Sequence, residues 1–381
     1  YLNLTVTPAL LYSDDMNAQR LETSRLLQRF GFGPRPGEYA QALKSGVAAT
    51  RTKILTVPAV DAGAAQVVEP DITDLGKRPA ANSKEIVPFS IALRNQTQQM
   101  SLWWLDRMAM SDHGLTERMT WFWHGHWATS IQKLNYAMPM FIQNNTMRAN
   151  CLGSFKTMSR AMINDAALQF WLDGQESTAK SPNENLGREL MELFVLGVGR
   201  YTEDDVKASA RALTGYQVDK SSGTVTFNAK RYDANPVTIL GKTQTFTGEA
   251  LSDFLVARED NATFIAERLW YRFISSTETM PASFGAKKAF ATRDISSAVK
   301  AMVQDPALGD AKNDLVKSPV EWFIAACRAL ELTPSNLKTP GQLFNYLDKL
   351  GQVPFNPPNV GGWPAGGAWL SSATAQYRIA F

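Results

Sequence analysis

The chain has 381 residues, 44% of them hydrophobic and 20% charged, with a formal net charge of +3. That length allows a large core or two lobes, and so small a charge gives no reason to invoke nucleic acid. No run of about 18 apolar residues occurs, so no membrane span is expected.

The first residues, Tyr1 to Thr5, carry neither an initiator methionine nor a signal peptide. This is expected of a trimmed, exported chain, periplasmic or extracellular. Residues 13 to 30 read as a first helix, capped by Ser13 or Asp14, with Leu21, Leu26, Leu27 and Phe30 on its apolar face. The breaker cluster Gly31 to Gly37 ends it, and short helices follow near 37–45 and 48–56. Residues 57–87 lack periodicity and read as an extended surface segment, suited to a flap.

Helical spacing returns from Pro88 to Met110. After a break at Ser111–Gly114, Thr116 is placed to cap the next helix, which runs into Trp121-Phe122-Trp123-His124-Gly125-His126-Trp127. Short helices are expected at 139–150 and 155–164. Residues 217–247 alternate Thr, Val and Phe and predict a hairpin or small sheet with Gly223 and Gly241 near its turns. Beyond it the pattern is helical at 249–257, 261–275, 291–304, 318–332 and 339–350, with Ser318 capping and Pro319 in a first turn. A Gly/Pro/Trp loop closes the chain at 354–372. The expected fold is mainly α: a multi-helix globular domain of one or two lobes with one small β insertion.

Three constellations are candidates for chemistry. The first is residues 181–216, a loop, a helix, a glycine turn and a second helix. Asn183 is a good cap. Glu184, Arg188 and Glu192 fall four apart and so share a helical face, with Glu189 at its edge. A cation between carboxylates favours their charged forms, so the ladder reads as a surface ion network. If one carboxyl is buried, the same ladder is an acid/base pair for glycosidic bond cleavage. Thr202 and Asp205 form a capping box that places Tyr201.

The second is His124-Gly125-His126. A straight helix turns these two rings nearly opposite ways, whereas an extended or turning backbone would let them share a divalent metal, with carboxylates completing the site. His113 is the only other histidine. Neither Cys151 nor Cys327 lies in a Cys-x-x-Cys motif, so thiolate zinc is not expected; the two either pair or remain buried thiols. The third is the tryptophan supply. Ten tryptophans occur, and Trp123, Trp127, Trp363 and Trp369 are candidates to stack on sugar rings. The acidic run 203–205 lacks an EF-hand's spacing, no phosphate loop occurs, and no Gly-x-Ser-x-Gly elbow is present.

Taken together, several stretches resemble the bacterial family called domain of unknown function 1800. They are Arg25-Leu26-Leu27 through Pro34, Phe122 through Ser130, Asn183-Glu184-Asn185 through Leu193, Leu196-Gly197, Tyr201-Thr202, Ala210 through Gly215, Lys317-Ser318-Pro319, and Pro357-Pro358-Asn359 through Pro364 with Trp369. The resemblance implies a predominantly helical, exported bacterial protein, and carries no settled activity. It implies that His124, His126, Asn183, Glu184, Arg188, Glu189, Glu192 and Asn359 face a shared cleft. The chain departs from the family pattern at Tyr232, where a histidine before the aspartate is usual, and at Ser24 or Arg25, where another is.

Three functions are therefore expected to compete. One is an exported glycan-active hydrolase or lyase that uses Glu189, Glu192, Glu184 and the histidines. Its substrate would be held by Asn183, Arg188, Tyr201, Asn359 and tryptophans. Another is a metal-dependent hydrolase or oxidoreductase built on His124 and His126. The last is a non-catalytic binding protein of the cell envelope.

Overall fold

The computed structural model describes residues 14–337 and 340–380. Ser13 and the first residues of the chain lie outside that range. The architecture is mainly α, as the periodicity predicts, with two small antiparallel sheets among the described residues.

Helix α1 (Asp14–Gly31) packs on α2 (Glu38–Ser45) and α3 (Val47–Leu55). A single turn, α4 (Ala62–Ala65), capped by Asp61, interrupts the extended segment before the long α5 (Ile86–Met110). α6 (Leu115–His126) follows. Its N-cap is Gly114 rather than Thr116, which sits inside the first turn. The Asp61 carboxylate gathers the Ser111 hydroxyl and the Asp112 and His113 N–H groups, so the chain reverses early. Gly114 completes the reversal at φ 75°, and a Cβ there would lie 2.8 Å from the Gly31 Cα, so α1 and α6 meet at backbone contact.

α6 separates two apolar cores. Phe122, Trp123 and Trp127 join Leu26, Phe30, Phe194 and Phe273 on one side. Trp121 joins Trp104, Phe355, Trp363 and Trp369 on the other. Cys151 belongs to the first core and Cys327 to the second. Both are free thiols, and burial pushes each up to about 12.

The β insertion is two hairpins. β1 (Tyr216–Asp219) pairs with β2 (Thr224–Phe227), and β3 (Val237–Ile239) pairs with β4 (Lys242–Gln244). Tyr232, the departure from the family pattern, bonds the Phe246 carbonyl, and Asp233 pairs with Arg211 at 2.6 Å. Both have structural partners.

Two helices end in π-turns: Glu184–Glu189 continues as Leu190–Val195, and Glu259–Leu269 as Trp270–Ile274. Each widens the helix, and such widening frequently marks functional sites. The terminal loop carries one short turn, Gly366–Trp369, before a last helix, Ser372–Ala380, which the sequence pattern had not indicated.

Candidate functional site

The acidic helix is split by its π-turn. Asn183 caps it by accepting the Asn185 N–H at 2.9 Å. Arg188 pairs with Glu184 at 3.1 Å and with Glu203 of the following helix at 2.7 Å, both near the surface. It does not pair with Glu192, because the wider turn after Glu189 rotates that residue away. The Glu192 carboxylate instead accepts the Tyr201 hydroxyl. Glu189 stands between these networks with no hydrogen bond or ion pair among the described residues. Burial, then the Glu192 charge, raise its pKa, and Arg188 opposes them.

The His-x-His expectation meets the helical case. His124 and His126 occupy the last turn of α6 and point into different cores. His124 accepts the Phe355 N–H at 3.1 Å among the rings of Trp104, Trp121 and Trp363. His126 Nε2 donates to the Phe194 carbonyl at 2.8 Å. Burial holds both at about 3, so both are neutral. Two rings turned apart by the helix, each walled in by aromatics, cannot share a metal or reach a substrate. The catalytic and metal roles expected of His124 and His126 are therefore corrected. No group of three or more His, Cys, Asp or Glu suited to a metal occurs among the described residues.

Trp123 and Trp127 are 0% exposed and cannot meet a substrate, which corrects their expected role. Asn359 is an exposed turn former whose Oδ1 accepts the Gly361 N–H. Trp363 and Trp369 do line a cleft, but only 4% of each is exposed. Trp363 stacks on Trp121 with ring centres 5.3 Å apart, so its face is already used.

That cleft, about 340 Å³, is where functional groups gather. One wall is the α1 stripe Leu21, Ser24, Arg25, Gln28 and Arg29. Another is the α6 stripe Arg118, Trp121, Phe122 and Gly125. Arg268, Tyr271 and Arg272 come from the second π-turned helix, and Lys317, Glu321, Trp363 and Trp369 from the terminal third. Residues of the 57–87 segment do not contribute to this lining, so it is no flap here. The terminal loop is seated by Gly362, at φ 80°. A Cβ there would lie 2.3 Å from the Gly125 carbonyl oxygen. The loop thus meets the end of α6, while Glu184, Glu189 and Glu192 stay outside the cleft lining.

Six cations line the cleft against two carboxylates, Asp314 and Glu321. Arg25 pairs with Asp314 and also bonds the carbonyls of Leu308 and Asp310. Arg29 bonds the carbonyls of Phe273 and Ile274, at the C-terminal end of the π-turn where the helix presents negative charge, and that of Asn313. Burial pulls its pKa down to about 9. Arg118 pairs with Glu321 at 2.8 Å and lies 4.5 Å over the Phe273 ring. Glu321 also accepts the Ser318 N–H at the start of its own helix. Arg272 holds the loop through the Trp363 and Pro364 carbonyls. Lys317 donates to Gln28, and burial lowers its pKa.

Arg268 differs from these. It has no hydrogen bond or ion pair among the described residues, and its Nε is buried. Burial, then the Arg272 charge, pull it down to about 10. The indole N–H groups of Trp363 and Trp369 are likewise buried without an acceptor. Three lining residues thus hold donors without acceptors. Buried polar groups are ordinarily paired, and these three can only donate.

Sequence reasoning missed this cleft. Its trace was arginine repeated at four-residue spacing, Arg25/Arg29 on a buried helix face and Arg268/Arg272 on a half-buried one. Arg25 and Arg29 are only 7% and 8% exposed.

A mainly α protein with a basic, tryptophan-walled cleft between two cores is the class that fold and site define. The model of a family described as "Protein of unknown function (DUF1800)" matches residues 25–381, and the chain belongs to that family. Comparisons with curated proteins and with solved structures find no match.

Proposed function

We propose that this protein is glycan-directed and binds an acidic saccharide in the basic cleft. The observation that carries the reading is Arg268, a partly exposed guanidinium whose buried Nε has no carboxylate or carbonyl to meet it, in a cleft whose lining also holds two buried indole N–H groups without acceptors. A buried charge is ordinarily paired, and a carboxylated sugar supplies the missing partner. Ser24 and Gln28 add neutral polar groups suited to hydroxyls, and Tyr271 is open at the rim. The fit is to a saccharide's acid group and hydroxyl edges rather than to stacking on tryptophan faces, because Trp363 stacks on Trp121 and Trp369 is only 4% exposed. Export to the periplasm or beyond belongs to this proposal and rests on the family resemblance.

The test is binding of immobilised polygalacturonate against neutral galactan. Wild type is expected to retain polygalacturonate alone, and Arg268→Ala to lose it. Equal retention of both polymers would refute the reading.

One observation favours a second reading, hydrolysis at Glu189 and Glu192. Glu189 is half-buried, without a bonding partner among the described residues, and its pKa is raised by burial and by Glu192, as a general acid requires. Release of reducing ends from a glycan, abolished by Glu189→Gln and by Glu192→Gln, is its expected signature. Full activity in both variants would sink it.

A further inference from the structure

The two carboxylates of the basic cleft are held differently. Glu321 uses both oxygens: one pairs with Arg118 at 2.8 Å and the other accepts the Ser318 N–H at 3.0 Å. Its side chain is 19% exposed. Asp314 uses one oxygen, which meets Arg25 at 3.0 Å, and its side chain is 78% exposed. Its other oxygen has no hydrogen bond among the described residues. An ion pair with so exposed a member contributes little to the fold and is screened by salt.

Arg25 does not depend on that contact. Its guanidinium is fixed by the carbonyls of Leu308, Asp310 and Ala311, at 3.0, 2.6 and 3.2 Å. The Asp314 backbone is fixed as well: its N–H bonds the Lys312 carbonyl, and its carbonyl accepts the Ser276 N–H. A swing of the Asp314 side chain into solvent therefore moves neither backbone. It leaves an anchored guanidinium in the cleft lining with its carboxylate partner gone, and a buried charge calls for another.

This position is separate from Arg268. Arg25 belongs to α1 and Arg268 to the second π-turned helix, on different walls of the cleft. Arg29, one turn beyond Arg25, feels the charges of Arg25 and Asp314, whereas Arg268 feels Arg272 and Tyr271.

We propose that Asp314 holds the place of a second ligand acid: the saccharide carries acid groups on at least two residues, one meeting Arg268 while another displaces Asp314 from Arg25. This rests on the acidic-saccharide reading and narrows it to a polyacidic oligosaccharide. The exchange puts one carboxylate in place of another on the same donor. Asp314 is thus an internal competitor that disfavours ligands with a single acid.

The experiment is calorimetric titration of the full chain with tetragalacturonate and with a galactose tetramer carrying one galacturonate. Wild type should bind the tetra-acid at least tenfold tighter than the mono-acid. Asp314→Asn keeps the side-chain shape and removes the competing charge. It should tighten the tetra-acid at least threefold and leave the mono-acid within twofold. Asp204→Asn makes the same charge change at an exposed residue outside the cleft lining, and should leave both within twofold. Circular dichroism and the melting temperature establish that each variant is folded, and Asp314→Ser serves if Asp314→Asn is not. The inference alone is overturned if wild type binds the tetra-acid and Asp314→Asn binds it no tighter, or if Asp314→Asn tightens both tetramers equally. No binding of either tetramer, by wild type or by Asp314→Asn, would overturn the acidic-saccharide reading and this inference with it.

Discussion

Arg268→Met should make the protein more stable and remove its acidic ligand. The perturbation replaces an unpaired guanidinium by an apolar chain of similar length. Burial, then Arg272, bring the Arg268 pKa from its ordinary value down to about 10, more than a hundredfold loss of proton affinity. At about 1.4 kcal/mol per tenfold, the charged form is disfavoured by up to roughly 3 kcal/mol. The side chain is partly exposed, and water screening reduces this to roughly 1–2 kcal/mol. Removing the charge recovers that amount, as replacing buried ionic groups by apolar ones often does. For a chain of this size the melting temperature should rise by a few degrees, roughly 2–4 °C. Scanning calorimetry gives the stability, and titration with an acidic oligosaccharide gives the binding. A variant that melts below wild type, or that binds the oligosaccharide equally well, would refute the reasoning. The first outcome means that Arg268 has a partner in the fold, and the second that the cleft does not use it.

Acid stability follows from three buried groups. His124 and His126 are held at about 3, so they bind protons in the unfolded chain first; their contribution is present above their unfolded pKa and is lost as pH falls through the folded one. Asp165 is pushed up to about 7 by burial, so its contribution is present below its unfolded pKa and lost as pH rises through the folded one. Between about pH 6.5 and 4 the two histidines outweigh it, and stability should fall by about 1.4 kcal/mol per pH unit. Asp165→Asn should roughly double that slope in urea titrations, and an unchanged slope would contradict the assignment. Glu117 is 2% exposed and bonds Arg107, Arg148 and Trp104, so Glu117→Ala should cost about 3–5 kcal/mol by urea unfolding. Gly362→Ala drives a Cβ into the Gly125 carbonyl, lifting the loop from α6. It should weaken acidic-ligand binding at least tenfold while the circular dichroism spectrum is kept; unchanged affinity would argue against loop seating.

The helices were legible because their signals are local. Asn183, the Thr202–Asp205 box and the Leu26/Phe30 spacing each act within one or two turns, and all appear where expected. The Gly114 cap was not legible, because it depends on Asp61, fifty residues away. Nor were the π-turns, whose effect was to part Glu192 from Arg188 and so divide a ladder that four-residue spacing had drawn as one. The histidines show the limit of spacing alone: their divergence followed once the backbone was helical, but the sequence also allowed Gly125 to turn. The basic cleft escaped because its arginines come from three helices far apart in the chain, around Arg25, Arg118 and Arg268, and no local pattern links them. Only packing reveals that Arg29 is met by carbonyls, Arg118 by Glu321, and Arg268 by nothing among the described residues.

The most direct test of the central claim is titration of wild type with tetragalacturonate and with its neutral galactose counterpart, at low and at high salt. Saturable binding of the acidic tetramer alone, weakened by salt and lost in Arg268→Met, is the predicted result. Binding of the neutral tetramer with equal affinity, or no binding of either, would contradict it.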